Sequence, residues 1–226
     1  MSFFRQGIRV RFGIFKDFWS WLSHFAGFVA AIVGLVLLLV FCEPGAARVT
    51  SASIYGGTLV ALFAASAAYH FFDFGERGNR LLRRIDHMTI YLLIAGTYVP
   101  GLVILLDGAW RVVMLCIVGA FVVAGVLLKV VWLDAPHWLS TGLYLAFGWF
   151  SLFPVLLFFP QLTGIEIFWL LSGGLAYTIG ALIFWREWPD PWPERFGHHE
   201  VWHLFVLAGA TLHFFYVANL VSTPIA

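Results

Sequence analysis

The chain has 226 residues, of which 62% are hydrophobic and only 11% are charged, and its mean hydropathy is +0.91. A soluble domain of this size could not bury so much apolar surface, so the composition excludes an ordinary soluble fold and indicates a membrane protein. The net charge of +1, with no polybasic tail in the sequence, gives no indication of nucleic-acid binding.

Seven apolar stretches follow one another along the chain, each long enough to cross a bilayer with about 20 residues. They run approximately over residues 19–41, 51–72, 86–106, 112–132, 138–159, 164–185 and 199–220. The short connections between them contain most of the charges and turn-forming residues. The stretches lack the alternating pattern of barrel strands. We therefore expect an all-α membrane protein, a single domain built as a seven-transmembrane helix bundle.

Lysine and arginine are distributed unequally between the two sets of connections. If the N-terminus is cytoplasmic, only Arg48 and Arg111 of the 13 basic residues lie outside. This bias predicts a cytoplasmic N-terminus and an external C-terminus. The apolar run after Lys16 is too long for a cleavable signal peptide and is interpreted as a signal anchor.

The two cysteines, Cys42 and Cys116, are both expected toward the outer side. A disulfide between them is one interpretation, and two small apolar filling residues is the simpler one.

Ionisable residues inside a membrane span are costly and usually functional, and several are predicted at one membrane level. His70 lies at the cytoplasmic end of the second span, Asp86 begins the third, and His199 and His203 begin the seventh. Residues four apart share a helix face, so His199 and His203 can bind one ion, and His70 would add a third nitrogen. Three protein ligands and a water form a catalytic zinc site. Asp86 would then orient or deprotonate the water, and Ser66 would hydrogen-bond the water or an oxyanion.

The remaining histidines are weaker candidates. His24 lies at the correct level but has no partner on its own face, so it is at most a supporting residue. His213 lies about 15 Å deeper than His203 and is expected to be a buried hydrogen-bonding partner. His87 and His198 point about 100° away from their neighbouring candidates and are expected at the interface. Histidine pairs near an interface can also simply satisfy neighbouring groups, so a structural role for the cluster stays open.

The stretch from His199 to His203 reads H-E-x-x-H, the motif of zinc proteases, in which Glu200 would be the general base. Membrane metalloproteases of this kind take a third ligand from an Asp-Gly pair, and Asp107-Gly108 is such a pair. Asp107 lies about 31 Å from Asp86 along one helix, at the opposite membrane face. The protease is therefore a minor alternative, and the role of Glu200 stays open.

Four stretches carry a resemblance to a known family: WLSHFAGFVAAIVG at 21–34, SAAYHFF at 66–72, RLLRRIDHMTIYLLIAGTYVP at 80–100 and FGHHEVWHLFVLAGATLHFF at 196–215. They resemble the hemolysin III family. This is the bacterial branch of the progestin and adipoQ receptor family, which includes the adiponectin receptors. The likeness covers nearly the whole chain.

The resemblance implies seven helices, a cytoplasmic N-terminus and a zinc ion near the cytoplasmic side, held by three histidines that match His70, His199 and His203. It also implies a serine and an aspartate near the zinc water, which match Ser66 and Asp86. In eukaryotic relatives the position of Glu200 can be Gln, which argues against an obligatory glutamate base. The family belongs to a broader set of predicted membrane hydrolases that act on lipid amides and related substrates.

We therefore expect an integral protein of the bacterial inner membrane that uses Zn²⁺ to hydrolyse a membrane lipid, with an amide-type or fatty-acyl substrate held inside the bundle. The alternative is a non-catalytic, receptor-like sensor of membrane state with structural zinc. A cytolysin or channel and a metalloprotease are less favoured. Apart from His213 the deep positions are apolar or small, so no polar stripe crosses the membrane.

Overall fold

The protein is all-helical over the part of the chain that the structure, a computed structural model, describes, residues 16–223. Seven helical segments in this range are long and apolar enough to cross a membrane, which confirms the predicted fold class. Arg5, Arg9 and Arg11, which the charge count placed on the inside, lie outside the described residues. Large apolar side chains such as Val36, Val131 and Leu156 point outward, as expected of helices surrounded by lipid.

The helices follow one another with short connections. The first four spans are single helices: α1 (Phe18–Val40), α2 (Ala46–Phe71), α3 (Gly75–Ile104) and α4 (Gly108–Val131). The fifth span consists of three pieces: α5 (His137–Trp149), α6 (Leu152–Phe158) and a 3-10 turn (Phe159–Gln161). The sixth and seventh spans are α7 (Gly164–Arg186) and α8 (His198–Ser222).

The third helix begins at Gly75, well before Asp86, where the apolar stretch begins. Its first turns are polar but rich in leucine and arginine, which are good helix formers. Arg80 and Arg83 on this extension form ion pairs with Asp134 in the connection after α4, at 3.1 and 3.0 Å. Asp86 therefore lies inside a helix and not at its start, because hydropathy marks the apolar part of a helix rather than its end.

The fifth span, expected as one helix, is interrupted at Ser151. The backbone N–H of Ser151 bonds to the carbonyl of Gly148, so the carbonyl of Phe147 loses its usual helical partner. The hydroxyl of Tyr98 from α3 donates to the carbonyls of Phe147 and Gly148. Pro154, which has no N–H, follows within the next turn. A helix break inside a membrane is tolerated where a neighbour satisfies the freed carbonyls in this way.

Hydrogen bonds between helix ends show that α2 runs antiparallel to both α1 and α8. The backbone N–H of Asp17, just before α1, donates to the carbonyl of His70 near the end of α2, at 3.0 Å. Near the other end of the bundle, Arg48 of α2 donates to the carbonyl of Val221 in α8, at 3.1 Å. We call the end at which α1 begins the histidine end.

Helix α8 lies at the centre of the bundle and contacts α1, α2, α3 and α7, while α4 packs on the outside of α3 and α5 packs against α3 and α7. The close packing of α7 against α8 depends on Gly173, because a Cβ there would overlap the ring of His213. Cys42 and Cys116 are free thiols, so the disulfide interpretation is wrong. The packing leaves a cavity of about 1620 Å³ that reaches from the histidine end into the bundle.

Candidate metal centre

Three histidines from two helices meet at the histidine end. One ligand nitrogen from each of His70, His199 and His203 lies within 4.8 Å of the other two, close enough for the three to hold one metal ion. The ring centroids of His199 and His203 are 4.6 Å apart, and that of His70 lies 5.3 and 5.0 Å from them, respectively. His70 and His203 are each 1% exposed, and His199 is partly exposed. The structure thus brings together the three residues that the sequence singles out as ligands.

Glu200, the glutamate of the H-E-x-x-H motif, links α8 to α1. Its Oε2 atom accepts a hydrogen bond from the backbone N–H of Gly197 at 2.9 Å, which caps the start of α8. Its Oε1 atom accepts one from the hydroxyl of Ser20 in α1 at 2.6 Å. Both carboxylate oxygens therefore have donors, and Glu200 fixes the start of α8 against α1.

Asp107, the third ligand that a metalloprotease would need, is not brought to the cluster. It lies beyond the end of α3, far from the histidine end, with its side chain 95% exposed and paired with Arg111 at 2.6 Å. The geometry removes the support for the metalloprotease alternative.

Asp17 belongs to the site and is not among the residues predicted from the sequence. Its carboxylate oxygen Oδ2 lies 3.0 Å from Nδ1 of His70, and both side chains are buried. A carboxylate that accepts the N–H of a histidine fixes the tautomer and the ring orientation, which is the usual outer-shell arrangement around metal-binding histidines. An acidic residue directly before a predicted span at the same membrane level was the available signal.

His24 connects the histidine cluster with Ser66. Its ring stacks on that of His203 with a centroid distance of 3.6 Å, and its Nδ1 atom hydrogen-bonds with Oγ of Ser66 at 2.7 Å. Ser66 and Asp86 both line the same cavity. The prediction of no partner for His24 holds only within its own helix, because its partners come from α2 and α8.

The other histidines lie outside this cluster. The ring of His213 bonds through Nε2 to the carbonyl of Leu170 at 3.1 Å, which confirms the predicted hydrogen bond, and the side chain is half-buried. His198 faces Asp190 at 3.3 Å. His87 is half-buried and lines the cavity, and its Nδ1 atom is buried with no hydrogen-bond partner in residues 16–223.

The cluster opens to the large cavity. His24, Ser66, Asp86, His199 and Glu200 all line its wall near the histidine end. Deeper in the bundle the wall becomes largely apolar and includes Leu62, Ile90, Leu93, Ile94, Leu102, Val155 and Val206. Its volume exceeds the range of about 300–1,000 Å³ that is typical of small-molecule sites. The cavity can therefore hold an extended apolar molecule beside the polar cluster.

The residues of the cluster fit a transition metal. Nδ1 of His203 is buried and has no hydrogen-bond partner among residues 16–223, which is rare for a polar atom and is explained if the nitrogen binds a metal. Since Nδ1 of His70 faces Asp17, its Nε2 atom is the one available to an ion. Three imidazole nitrogens and a nearby carboxylate form a donor set that suits zinc.

These features define an integral membrane protein with seven spanning helices and a candidate metal site between them. The family model described as Haemolysin-III related matches residues 12–214, so the chain belongs to that family. The chain is 31% identical to hemolysin-3 of Bacillus cereus over 199 residues, covering 87% of each protein. It is 31% identical to the hemolysin-3 homolog of Bacillus subtilis over 209 residues, covering 91% of this chain and 94% of the relative. The adiponectin receptor protein of Drosophila melanogaster is 24% identical over 240 residues, covering 96% of this chain and 53% of the relative.

Proposed function

We propose that the protein is a zinc-dependent hydrolase of a membrane lipid, with an amide-type or fatty-acyl substrate. The observation that carries the proposal is the position of the His70, His199 and His203 cluster at the polar end of a long, largely apolar cavity. Such a cavity accommodates an acyl chain and leaves a polar bond of the lipid beside the cluster. The family membership and the excess of arginine at the histidine end favour the inner membrane of a bacterium, with the histidine end facing the cytoplasm.

His70, His199 and His203 would hold the ion, and zinc held by three histidines supplies Lewis-acid chemistry that polarises a carbonyl and favours the ionisation of water. Asp17 accepts the Nδ1 proton of His70 and keeps its ring oriented. Glu200 keeps the start of α8, and therefore His199 and His203, fixed against α1.

Beside the metal, Asp86 would accept a proton and Ser66 would stabilise a negative charge on the substrate. Asp86 lines the cavity, so its carboxylate is placed to accept a proton from water that attacks the substrate. Ser66 lies beside His24 and Asp86, and if Nδ1 of His24 donates to Oγ of Ser66, the hydroxyl proton is free to hydrogen-bond an oxyanion. The apolar walls deeper in the cavity exclude bulk water from the acyl chain of the substrate.

The hydrolase is tested with Asp86→Asn in purified protein reconstituted with a panel of N-acyl lipids, with fatty-acid release as the readout. Loss of a proton acceptor is expected to lower turnover by roughly 10²- to 10⁴-fold, while the metal content stays at the wild-type value. Asp107→Asn, an exposed residue distant from the cluster, serves as the matched control and is expected to leave turnover unchanged. Equal turnover in Asp86→Asn and wild type would contradict the proposed role of Asp86.

A non-catalytic, receptor-like sensor is the second candidate function. It is favoured by the position of the histidines, which come from α2 and α8 and would be joined by a bound ion. This candidate predicts no fatty-acid release from any lipid of the panel by wild-type protein that contains one metal ion per chain. Removal of the metal would then change stability alone.

A further inference from the structure

A second polar cluster lies in the cavity wall, outside the histidine site. Its centre is Lys129 of α4, whose side chain is 0% exposed although it lies within a membrane span. Its Nζ atom donates to Oγ of Ser140 in α5 at 2.6 Å and lies 5.8 Å from the ring centroid of Tyr144. Lys129, Ser140 and Tyr144 all contribute to the cavity lining. The charge count from the sequence treated Lys129 only as an indicator of topology.

No carboxylate of residues 16–223 lies within ion-pairing distance of Lys129. All aspartate and glutamate side chains of the protein belong to residues 16–223, and none of them forms an ion pair with Lys129. Asp134, which is near in sequence, is held by Arg80 and Arg83. A buried ammonium with only a neutral hydroxyl as partner is costly, and charges inside membrane spans usually mark a ligand or an ion path.

The surroundings of Lys129 favour a negatively charged ligand. Ser140 lies in the first turns of α5, where the helix dipole is positive. The hydroxyl of Tyr144 donates to the backbone carbonyl of His87 in α3 at 3.2 Å, and Nδ1 of His87 is buried with no hydrogen-bond partner in residues 16–223. The cluster faces the same cavity as the histidine site.

We propose that Lys129 and Ser140 bind the anionic group, carboxylate or phosphate, of a lipid that occupies the cavity. The flexible stem of Lys129 allows Nζ to exchange Ser140 for the anion or to bridge both. The site would select lipids that carry a negative charge close to the bond that is hydrolysed at the metal centre. The proposal rests on the proposed function for the idea that a lipid enters the cavity, but its test needs neither turnover nor metal.

The test compares three amphiphiles of equal chain length: dodecanol, dodecanoate and dodecyl phosphate. Their affinities for the full-length protein in a neutral detergent are measured by isothermal titration calorimetry. Because a metal ion also attracts anions, the titrations are repeated in His203→Ala. The wild-type protein and His203→Ala are both expected to bind at least one of the anions roughly tenfold or more tighter than dodecanol, as a charge-assisted hydrogen bond predicts. The tighter of the two anions identifies the head group as carboxylate or phosphate.

Lys129→Met removes the charge but keeps the length of the side chain. It is expected to bind the anions and dodecanol equally, with the dodecanol affinity unchanged, while Lys129→Arg retains the preference for anions. Arg111→Gln, which removes a charge at the opposite end of the bundle, is the matched control and keeps the wild-type preference. Unchanged dodecanol binding shows that a variant is folded.

Three results would overturn the proposal. The first is equal binding of all three amphiphiles by the wild-type protein, which decides the question even where a variant does not fold. The second is an anion preference that survives in Lys129→Met. The third is an anion preference that disappears in His203→Ala, which would place the anion at the histidine site and leave the proposed hydrolase intact.

Discussion

Replacement of Asp17 by asparagine is expected to weaken zinc binding without unfolding the protein. Asparagine has nearly the size of aspartate, and its amide oxygen can still accept the N–H of His70. What it removes is the negative charge that lies 3.0 Å from Nδ1 of that ring. The ring then becomes a poorer donor to the metal, since a carboxylate partner increases the basicity of a metal-binding histidine.

The expected magnitude follows from the position of this pair. Loss of an outer partner of a metal-binding histidine typically costs 10- to 100-fold in metal affinity, or about 1.4 to 2.7 kcal/mol. The side chains of His70 and Asp17 are only 1% and 4% exposed, so salt and water screen the interaction little. We expect a loss of about tenfold in Asp17→Asn and closer to a hundredfold in Asp17→Ala, which removes the hydrogen bond as well.

The zinc dissociation constant is measured by competition with a chelating dye in neutral detergent. Asp134→Asn, the same substitution in a residue that pairs with Arg80 and Arg83, is the control and should bind zinc as the wild-type protein does. Wild-type affinity in both Asp17 variants would refute the reasoning. In that case, His70→Ala decides whether His70 is a ligand whose orientation is independent of Asp17 or is not a ligand.

Two further predictions concern the packing around the site. Ser20→Ala removes the hydrogen bond from α1 to Glu200 and should lower the free energy of unfolding. The expected loss lies between about 0.6 kcal/mol, the average for such bonds between membrane helices, and about 3 kcal/mol, the upper value for a charged partner. Denaturant titration measures this loss, and an unchanged free energy of unfolding would show that Glu200 does not fix α8 through Ser20. Gly173→Ala places a methyl group against the ring of His213 and should lower the free energy of unfolding by about 1–3 kcal/mol. In the control Gly119→Ala, the added methyl group meets nothing within 4 Å and should leave the thermal midpoint of unfolding unchanged. Equal midpoints in the two variants would contradict the packing of α7 against α8.

Features that depend on one helix at a time could be predicted from the sequence. Apolar runs locate the spans, and the spacing of His199 and His203 places both side chains on one face of α8. The alternating direction of the spans brings His70 to the same level. These arguments use only the rise of a helix and the hydrophobic thickness of a membrane.

Features that depend on how α1 meets its neighbours could not be predicted in this way. Asp17 contacts α2, Ser20 contacts α8, and His24 contacts both. The spacing along α1 does not determine which neighbour each face meets. The burial of Lys129 could not be predicted for the same reason. A basic residue near a helix end is expected at the membrane interface, and only the packing of α5 against α4 buries it.

The central claim is tested most directly by the metal content of detergent-purified protein, with wild type measured beside His199→Ala by elemental analysis. His199 is the most exposed of the three ligands, so its replacement disturbs the packing least. We predict one zinc ion per wild-type chain and its loss in His199→Ala. Wild-type protein that contains no metal, or a variant that retains one zinc ion per chain, would contradict the assignment of His70, His199 and His203 as zinc ligands.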